Sequence, residues 1–200
     1  MVIIWNKLDE MAWSGDEMSK KSSLSGEELY LDSIEEQDSE ILLSWLQNEN
    51  TLRLLNSVPA SPWTVETIGE WIKRVNGSKN DCLFGIRAMP DGEMIGYLEI
   101  DGIRWEDHTC GMSYLIGDEG LRGMGLGYQA VKIGLDYAFF ELDMYRVQIT
   151  IFENNPVSIK LAQKLNFVKE GTFREHIARD GRRYDMYLYG LLRKEWKSEK

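Results

Sequence analysis

Eleven residues, Gly117-Asp118-Glu119-Gly120-Leu121-Arg122-Gly123-Met124-Gly125-Leu126-Gly127, hold five glycines. They follow a strand-like run at 109–116 and precede residues 128–142, where Val131, Leu135, Ala138 and Leu142 recur at helical spacing. A strand thus hands over to a helix through a loop of little side-chain bulk. Glycines let the main chain come close to a bulky anion, and the free N–H groups of a helix start point at it. The helix dipole adds typically ~0.3–1 kcal/mol, and Arg122 adds charge. Such a loop suits a phosphate or pyrophosphate. Taken alone, it reads equally well as a glycine-rich helix start without a ligand. A Walker loop needs Gly-Lys-Ser/Thr, which is missing here. A dinucleotide fingerprint belongs to the first strand of a βαβ unit; here the spacing Arg122-x-x-Gly125-x-Gly127 comes after three strands that read as antiparallel.

Elsewhere the pattern is regular from Glu28 onward. Leu29-Tyr30-Leu31 reads as a short strand, and 35–48 as a helix with Ile41, Leu42, Trp45 and Leu46 on one face. Pro59 and Pro62 interrupt. Thr64 caps a second helix with Val65, Ile68 and Ile72 on its inner face and Trp71 beside it; Asn76-Gly77 ends it. Strands follow at 82–88, 93–101 and 109–116, with a Pro90-Asp91-Gly92 turn between the first two. After the 128–142 helix come a strand at 147–152, a helix at 156–164, and strands at 168–173 and 183–192 joined by Asp180-Gly181. The order β-α-α-β-β-β-α-β-α-β-β predicts an α+β fold: a mixed, mostly antiparallel twisted sheet flanked by helices, with one parallel step in its second half. Residues 1–26 read as an acidic N-terminal extension, broken by Ser14-Gly15, Ser22-Ser23 and Ser25-Gly26. Residues 27–200 read as one domain.

The formal net charge is −10, which argues against non-specific nucleic-acid binding. Residues 1–40 carry eleven acids against three lysines. That excess suits a solubilising surface and would also steer a cationic substrate toward the protein. No run of ~18 apolar residues predicts a membrane span. The two cysteines, Cys82 and Cys110, make neither a disulfide framework nor a metal cluster. A cytoplasmic protein without metal is the expectation.

The Arg122-x-x-Gly125-x-Gly127 spacing resembles the acetyl-CoA motif of the GNAT N-acetyltransferase superfamily, and the element order is similar to that family's. Asn155, before Pro156 and Ser158, is a good helix N-cap in its own right. It also occupies the place of the family's asparagine on the pantetheine arm. Ser158 matches the serine of RimJ/RimL-type enzymes, which acetylate N-termini of ribosomal proteins. The stretch Glu170-Gly171-Thr172-Phe173-Arg174-Glu175, with Gly181, Asp185 and the segment from Leu192 to Trp196, looks like that subfamily. The likeness spans Glu28 to Trp196. It implies acetyl-CoA as co-substrate, bound by Leu115, Ile116, Arg122, Gly123, Met124, Gly125, Leu126, Gly127 and Asn155, with the main-chain amides from 122 to 128 on the diphosphate. It also implies an amine acceptor and admits a homodimer, while the charge and hydropathy above predict no nucleic-acid or membrane partner. Three places depart from the pattern. Ala162 stands where many family members carry a tyrosine acid, Asn166-Phe167 replaces Gly-Phe, and Gly111-Met112-Ser113-Tyr114 lacks the family's glutamate.

The implied chemistry is direct attack of a neutral amine on a thioester carbonyl. A backbone N–H between Ser113 and Ile116 would polarise that carbonyl if the strand splays from its neighbour. Ser158, on a helix N-terminus, is the candidate donor to the leaving thiolate. An α-amine (pKa ~7.7–8.0) needs less help from a base than a lysine (~10.4). Glu99, Asp101, Glu175 and His176 are the candidate bases. Glu99 lies on the strand whose family counterpart lines the acceptor cleft, although a solvated strand-face carboxylate is its plainer reading. Glu175 and His176, as strand neighbours, are expected to face opposite ways. His108 reads as a loop residue, and Cys110 has no evident basic partner. Trp45, Trp63 and Trp71 read as core or cleft wall. The expected function is N-acetylation of a peptide N-terminal α-amine. The alternatives are acetylation of a small cationic amine, such as a polyamine or aminoglycoside, and a non-catalytic CoA-binding or interaction module.

Overall fold

The structure, a computed structural model, describes residues 24–55 and 62–198. Within them lie seven strands: β1 (Leu29–Ser33), β2 (Cys82–Ala88), β3 (Met94–Arg104), β4 (Thr109–Ile116), β5 (Arg146–Phe152), β6 (Val168–Arg179) and β7 (Arg182–Leu192). Five α-helices connect them: α1 (Ser39–Leu46), α2 (Glu49–Leu55), α3 (Val65–Asn76), α4 (Leu126–Asp136) and α5 (Pro156–Lys164). All seven strands share one sheet in the order β1-β2-β3-β4-β5-β7-β6. Every neighbouring pair is antiparallel except β4 with β5. The expected mixed sheet with one parallel step is therefore present.

That parallel pair is brief. It runs Thr109↔Arg146, Cys110↔Val147 and Gly111↔Gln148, then stops. Beyond it β4 stays with β3 as far as Gly96↔Ile116, and β5 stays with β7 as far as Phe152↔Met186. Residues 112–116 and 149–152 diverge and leave a wedge in the middle of the sheet.

Each face of the sheet is covered. Leu98, Ile100 and Met112 pack with Val131 and Leu135 of α4 on one side. Tyr97, Leu83 and Leu115 pack with Leu42 of α1 and Ile68 and Ile72 of α3 on the other. Side chains alternate along a strand, so Glu99, Asp101 and Ser113 share the α1/α3 face with Tyr97 and Leu115.

The helix expected over 35–48 is a 3-10 turn (Glu36–Asp38) followed by α1, and a separate α2, not expected from the sequence, comes after it. Asn48 makes the break: its Oδ1 accepts from Thr51 N at 3.1 Å and starts a new helix. Thr64 caps α3 as expected, accepting from Thr67 N at 3.2 Å. Val65, however, is exposed, and Ile68, Ile72 and Val75 carry the buried face. The 128–142 helix starts earlier, at Leu126, and widens into a π-turn over Tyr137–Glu141, where Leu142 N donates to Tyr137 O at 3.0 Å. Asp180 (φ 51°) and Gly181 (φ 74°) both take positive φ, as a two-residue hairpin turn requires. Residues 24–26 turn back onto β1 through Leu31 N to Leu24 O and Gly26 N to Leu29 O, both 2.8 Å. The rest of the acidic extension, with Trp5 and Trp13, lies outside the described residues, as does Pro59. Among the described residues no helix is long and apolar enough to cross a membrane.

Candidate active site

The glycine-rich loop joins β4 to α4 at the open end of the wedge. Asp118 shapes its first half, its Oδ1 accepting from Gly120 N at 2.8 Å. Gly125, at φ 89°, is the N-cap of α4, and no side chain caps that helix. The first intrahelical bond is Gln129 N to Gly125 O at 3.1 Å, so the N–H groups of Leu126, Gly127 and Tyr128 precede the ladder. A Cβ added at Gly123 or Gly125 would meet nothing within 4 Å. Bare main chain, a helix N-terminus and open space before it fit a pyrophosphate.

Arg122 has a different role from the one its charge suggests. Its Nε donates to Ile116 O at 3.0 Å, and its Nη2 donates to Gly117 O at 3.2 Å and Thr51 Oγ1 at 2.8 Å. Its Nη1 lies 3.4 Å from Glu119 Oε1. The guanidinium is a brace that pins the loop to the end of β4 and to α2. Asn48 Nδ2 adds a second tie from the start of α2 to Glu119 Oε1 at 3.1 Å. Gly117 lies against the Trp45 ring, which leaves no room for a side chain there; Trp45 is a buried wall under the loop.

The main chain of β4 faces two ways. Gly117 N donates to Ile95 O at 2.9 Å. Counting back along an antiparallel ladder, the peptide groups of Leu115 and Ser113 point at β3, while those of Tyr114 and Ile116 point into the wedge. Ile116 O is taken by Arg122, which leaves the Ile116 and Tyr114 amides as donors there. Leu115, expected on the coenzyme, instead has its peptide turned to β3 and its side chain buried on the α1/α3 face.

Across the wedge, Asn155 Oδ1 accepts from Ser158 N at 3.1 Å and caps α5, with Pro156 in the first turn. Ser158 Oγ lies 3.2 Å from the Tyr114 hydroxyl. Ala162 is fully buried. Asn166, at φ 64°, does the work of a glycine after α5, and Phe167 N returns to Ala162 O at 3.0 Å, so the departure from Gly-Phe leaves the turn intact.

Glu99 sits on the opposite face of the sheet, paired with Ser113 just past the last β4–β5 pair. Its carboxyl is pushed up to about 7, first by burial, then by the charges of Asp101 and Asp81, with Arg74 of α3 pulling the other way. Asp101, also raised by burial, lies across Gly111, where a side chain would collide with its carboxylate. Asp81 is held by Ser78 Oγ at 2.6 Å and Gly102 N at 2.9 Å.

The remaining candidates are elsewhere. Glu175 and His176 do not alternate across a strand: a bulge between Phe173 and Ile177 breaks the β6 register, Glu175 takes φ 51°, and both are exposed. His176 tilts against the Phe173 ring. His108 lies in an exposed turn at the closed end of the wedge, with Nδ1 2.9 Å from Asp143 O. The Cys110 thiol is pushed up to about 12 by burial and nearby negative charge, and so stays protonated. Trp71 meets Tyr97 edge-on at 5.7 Å, in the core beside Glu99's face, and Trp63 packs on the same cluster. Sequence reading missed Tyr114 and α2. The aromatic at 114, facing a helix whose first turn carries Ser158, was the available signal for the first.

A family model described as acetyltransferase (GNAT) domain matches residues 28–168. The SPbeta prophage-derived uncharacterized N-acetyltransferase YokL of Bacillus subtilis (strain 168) is 30% identical over 172 residues, 86% of this chain and 94% of that protein. The putative ribosomal N-acetyltransferase YdaF of the same organism is 28% identical, covering 84% of this chain and 92% of its own length. The structure of spermidine N-acetyltransferase from Vibrio cholerae in complex with CoA and spermine superposes with a TM-score of 0.77 at 19% identity, covering 84% of this chain and 97% of that one; at this identity the likeness is one of fold. A sheet opened between its fourth and fifth strands, with a bare glycine loop at the opening, accords with the family match over most of the described chain. The chain belongs to the GNAT acetyltransferase family and is an N-acetyltransferase that uses acetyl-CoA.

Proposed function

We propose that this enzyme acetylates the α-amine of a peptide N-terminus by direct attack, with Glu99 as base and Ser158 at the leaving sulfur. Bound acetyl-CoA supplies the thioester carbonyl and the thiolate leaving group. The main-chain N–H groups from Gly123 to Tyr128 grip its diphosphate, and Asn155 flanks the pantetheine. The Tyr114 and Ile116 amides polarise the carbonyl. Glu99 takes the proton that the amine nitrogen sheds as the C–N bond forms. Ser158 donates its hydrogen bond to the sulfur that departs with the C–S bonding pair.

The observation that carries this reading is the Glu99 carboxyl at about 7 beside the point where β4 and β5 separate. A base of that strength nearly matches an α-ammonium of pKa ~7.7–8.0 and falls ~3 units short of an alkylammonium at ~10.4. A second reading, a polycationic amine, draws on the Asp81, Glu99 and Asp101 carboxylates, whose mutual repulsion would fall on binding such a cation.

An acceptor panel separates the two. The specificity constant for a free peptide N-terminus is expected to exceed that for spermidine at least about tenfold, and blocking the peptide's α-amine is expected to abolish turnover. The reverse order overturns the peptide reading in favour of the polyamine. Ser158→Ala is expected to lower kcat more than about tenfold with CoA affinity nearly unchanged. Equal loss of affinity would assign Ser158 to packing.

A further inference from the structure

The Tyr114 to Ser158 contact joins β4 to the first turn of α5, across the wedge that opens between β4 and β5. Two hydroxyls in contact carry two protons, and one of them is spent on the contact itself. Which one is spent decides whether Ser158 can donate to anything else.

Acidity assigns the donor role to Tyr114, and packing holds the pair in place. Tyr114 is largely buried, and that burial pushes its phenol up, so it remains a neutral O–H at neutral pH. A phenol is also a stronger acid than an alkyl hydroxyl, which makes it the donor of the pair. The ring is held in place as well. Gly127, in the first turn of α4, leaves a gap that the ring fills: a Cβ there would stand 3.0 Å from Tyr114 Cε2 and 3.6 Å from Leu161 Cδ1. The last glycine of the loop therefore seats this tyrosine as well as admitting a ligand. On the other side, the Ser158 main chain is fixed by Asn155.

We propose that Tyr114 is a positioning residue of the thiolate site, donating a hydrogen bond to Ser158 Oγ so that the serine's single proton points into the wedge. This rests on the assignment of Ser158 to the leaving sulfur. Tyr114 does not touch the sulfur; it orients the group that does. No bond is made or broken at Tyr114, and the phenol keeps its proton throughout.

Tyr114→Phe removes the hydroxyl and keeps the ring. It is expected to lower kcat about three- to tenfold, the loss of one hydrogen bond, with KM for acetyl-CoA within about twofold. In the Ser158→Ala background the same change is expected to add nothing. A readout apart from turnover is the ultraviolet titration of the CoA thiol in the binary complex. The bound thiol is expected to ionise at lower pH in the parent protein than in Ser158→Ala or Tyr114→Phe. Gly127→Ala, which pushes the ring off its seat while leaving the phenol, is expected to reproduce the Tyr114→Phe titration. If Ser158→Ala moves that titration and Tyr114→Phe does not, the role of Tyr114 is overturned and that of Ser158 stands. If neither moves it, the assignment of Ser158 to the sulfur falls with it. Additive losses in the double variant likewise overturn the proposal.

Discussion

Replacing Gly125 with valine is expected to weaken CoA binding at least about a hundredfold in calorimetry. Two effects combine. At φ 89° a β-branched residue is badly strained, at a cost of order 1–3 kcal/mol. Its side chain would also project into the open space before α4, where the coenzyme's diphosphate is assigned. Gly102 separates the two effects. It too has positive φ (56°) and open space, but it lies on β3, away from the loop. Gly102→Val is expected to lose stability and keep its affinity for CoA. An unchanged affinity in Gly125→Val would remove the diphosphate from this loop.

The second large effect is expected at Glu99. With its carboxyl at about 7, the parent enzyme's rate should climb with pH through neutrality as the base ionises. Glu99→Gln is expected to remove the inflection near 7, leaving only the acceptor amine's own ionisation, and to lower kcat about a hundredfold at pH 8. A parallel pH profile in the variant would disqualify Glu99 as the base. Stability gives an independent check. The ordinary value is 4.5, so between 4.5 and about 7 the folded state holds a proton that the unfolded state has released. Stability therefore declines as pH rises through that window. A neutral glutamine escapes the decline, so Glu99→Gln should raise Tm relative to the parent at pH 8 and not at pH 4.

The sheet and its helices were legible because periodicity and turn chemistry agreed along most of the chain. Thr64, Asn155-Pro156 and Asp180-Gly181 act locally, and each does in the structure what its type predicts. The glycine loop was legible for the same reason. Long-range geometry was not. Arg122 reads as an anion ligand until Ile116 O, Gly117 O and Thr51 Oγ1 are seen to surround it. Leu115 and Ile116 look alike in sequence, yet the ladder turns one inward and the other to the wedge. Glu175 and His176 seemed to alternate because a bulge leaves little mark in composition. The strength of Glu99 as a base depends on burial and on Asp81 and Asp101, which only folding brings beside it.

Helix α2 is seven residues long. Thr51 and Asn48 at its start hold the glycine loop, and from its other end Arg53 Nη1 donates to both carboxylate oxygens of Asp180, at 2.7 and 2.6 Å, in the turn between β6 and β7. The glycine loop and the β6–β7 turn are thus moored to the same short rod. That last mooring is exposed and so weak and salt-sensitive. Added salt is therefore expected to free the β6–β7 turn from α2 first, while the part-buried hold of Thr51 on Arg122 keeps the loop in place.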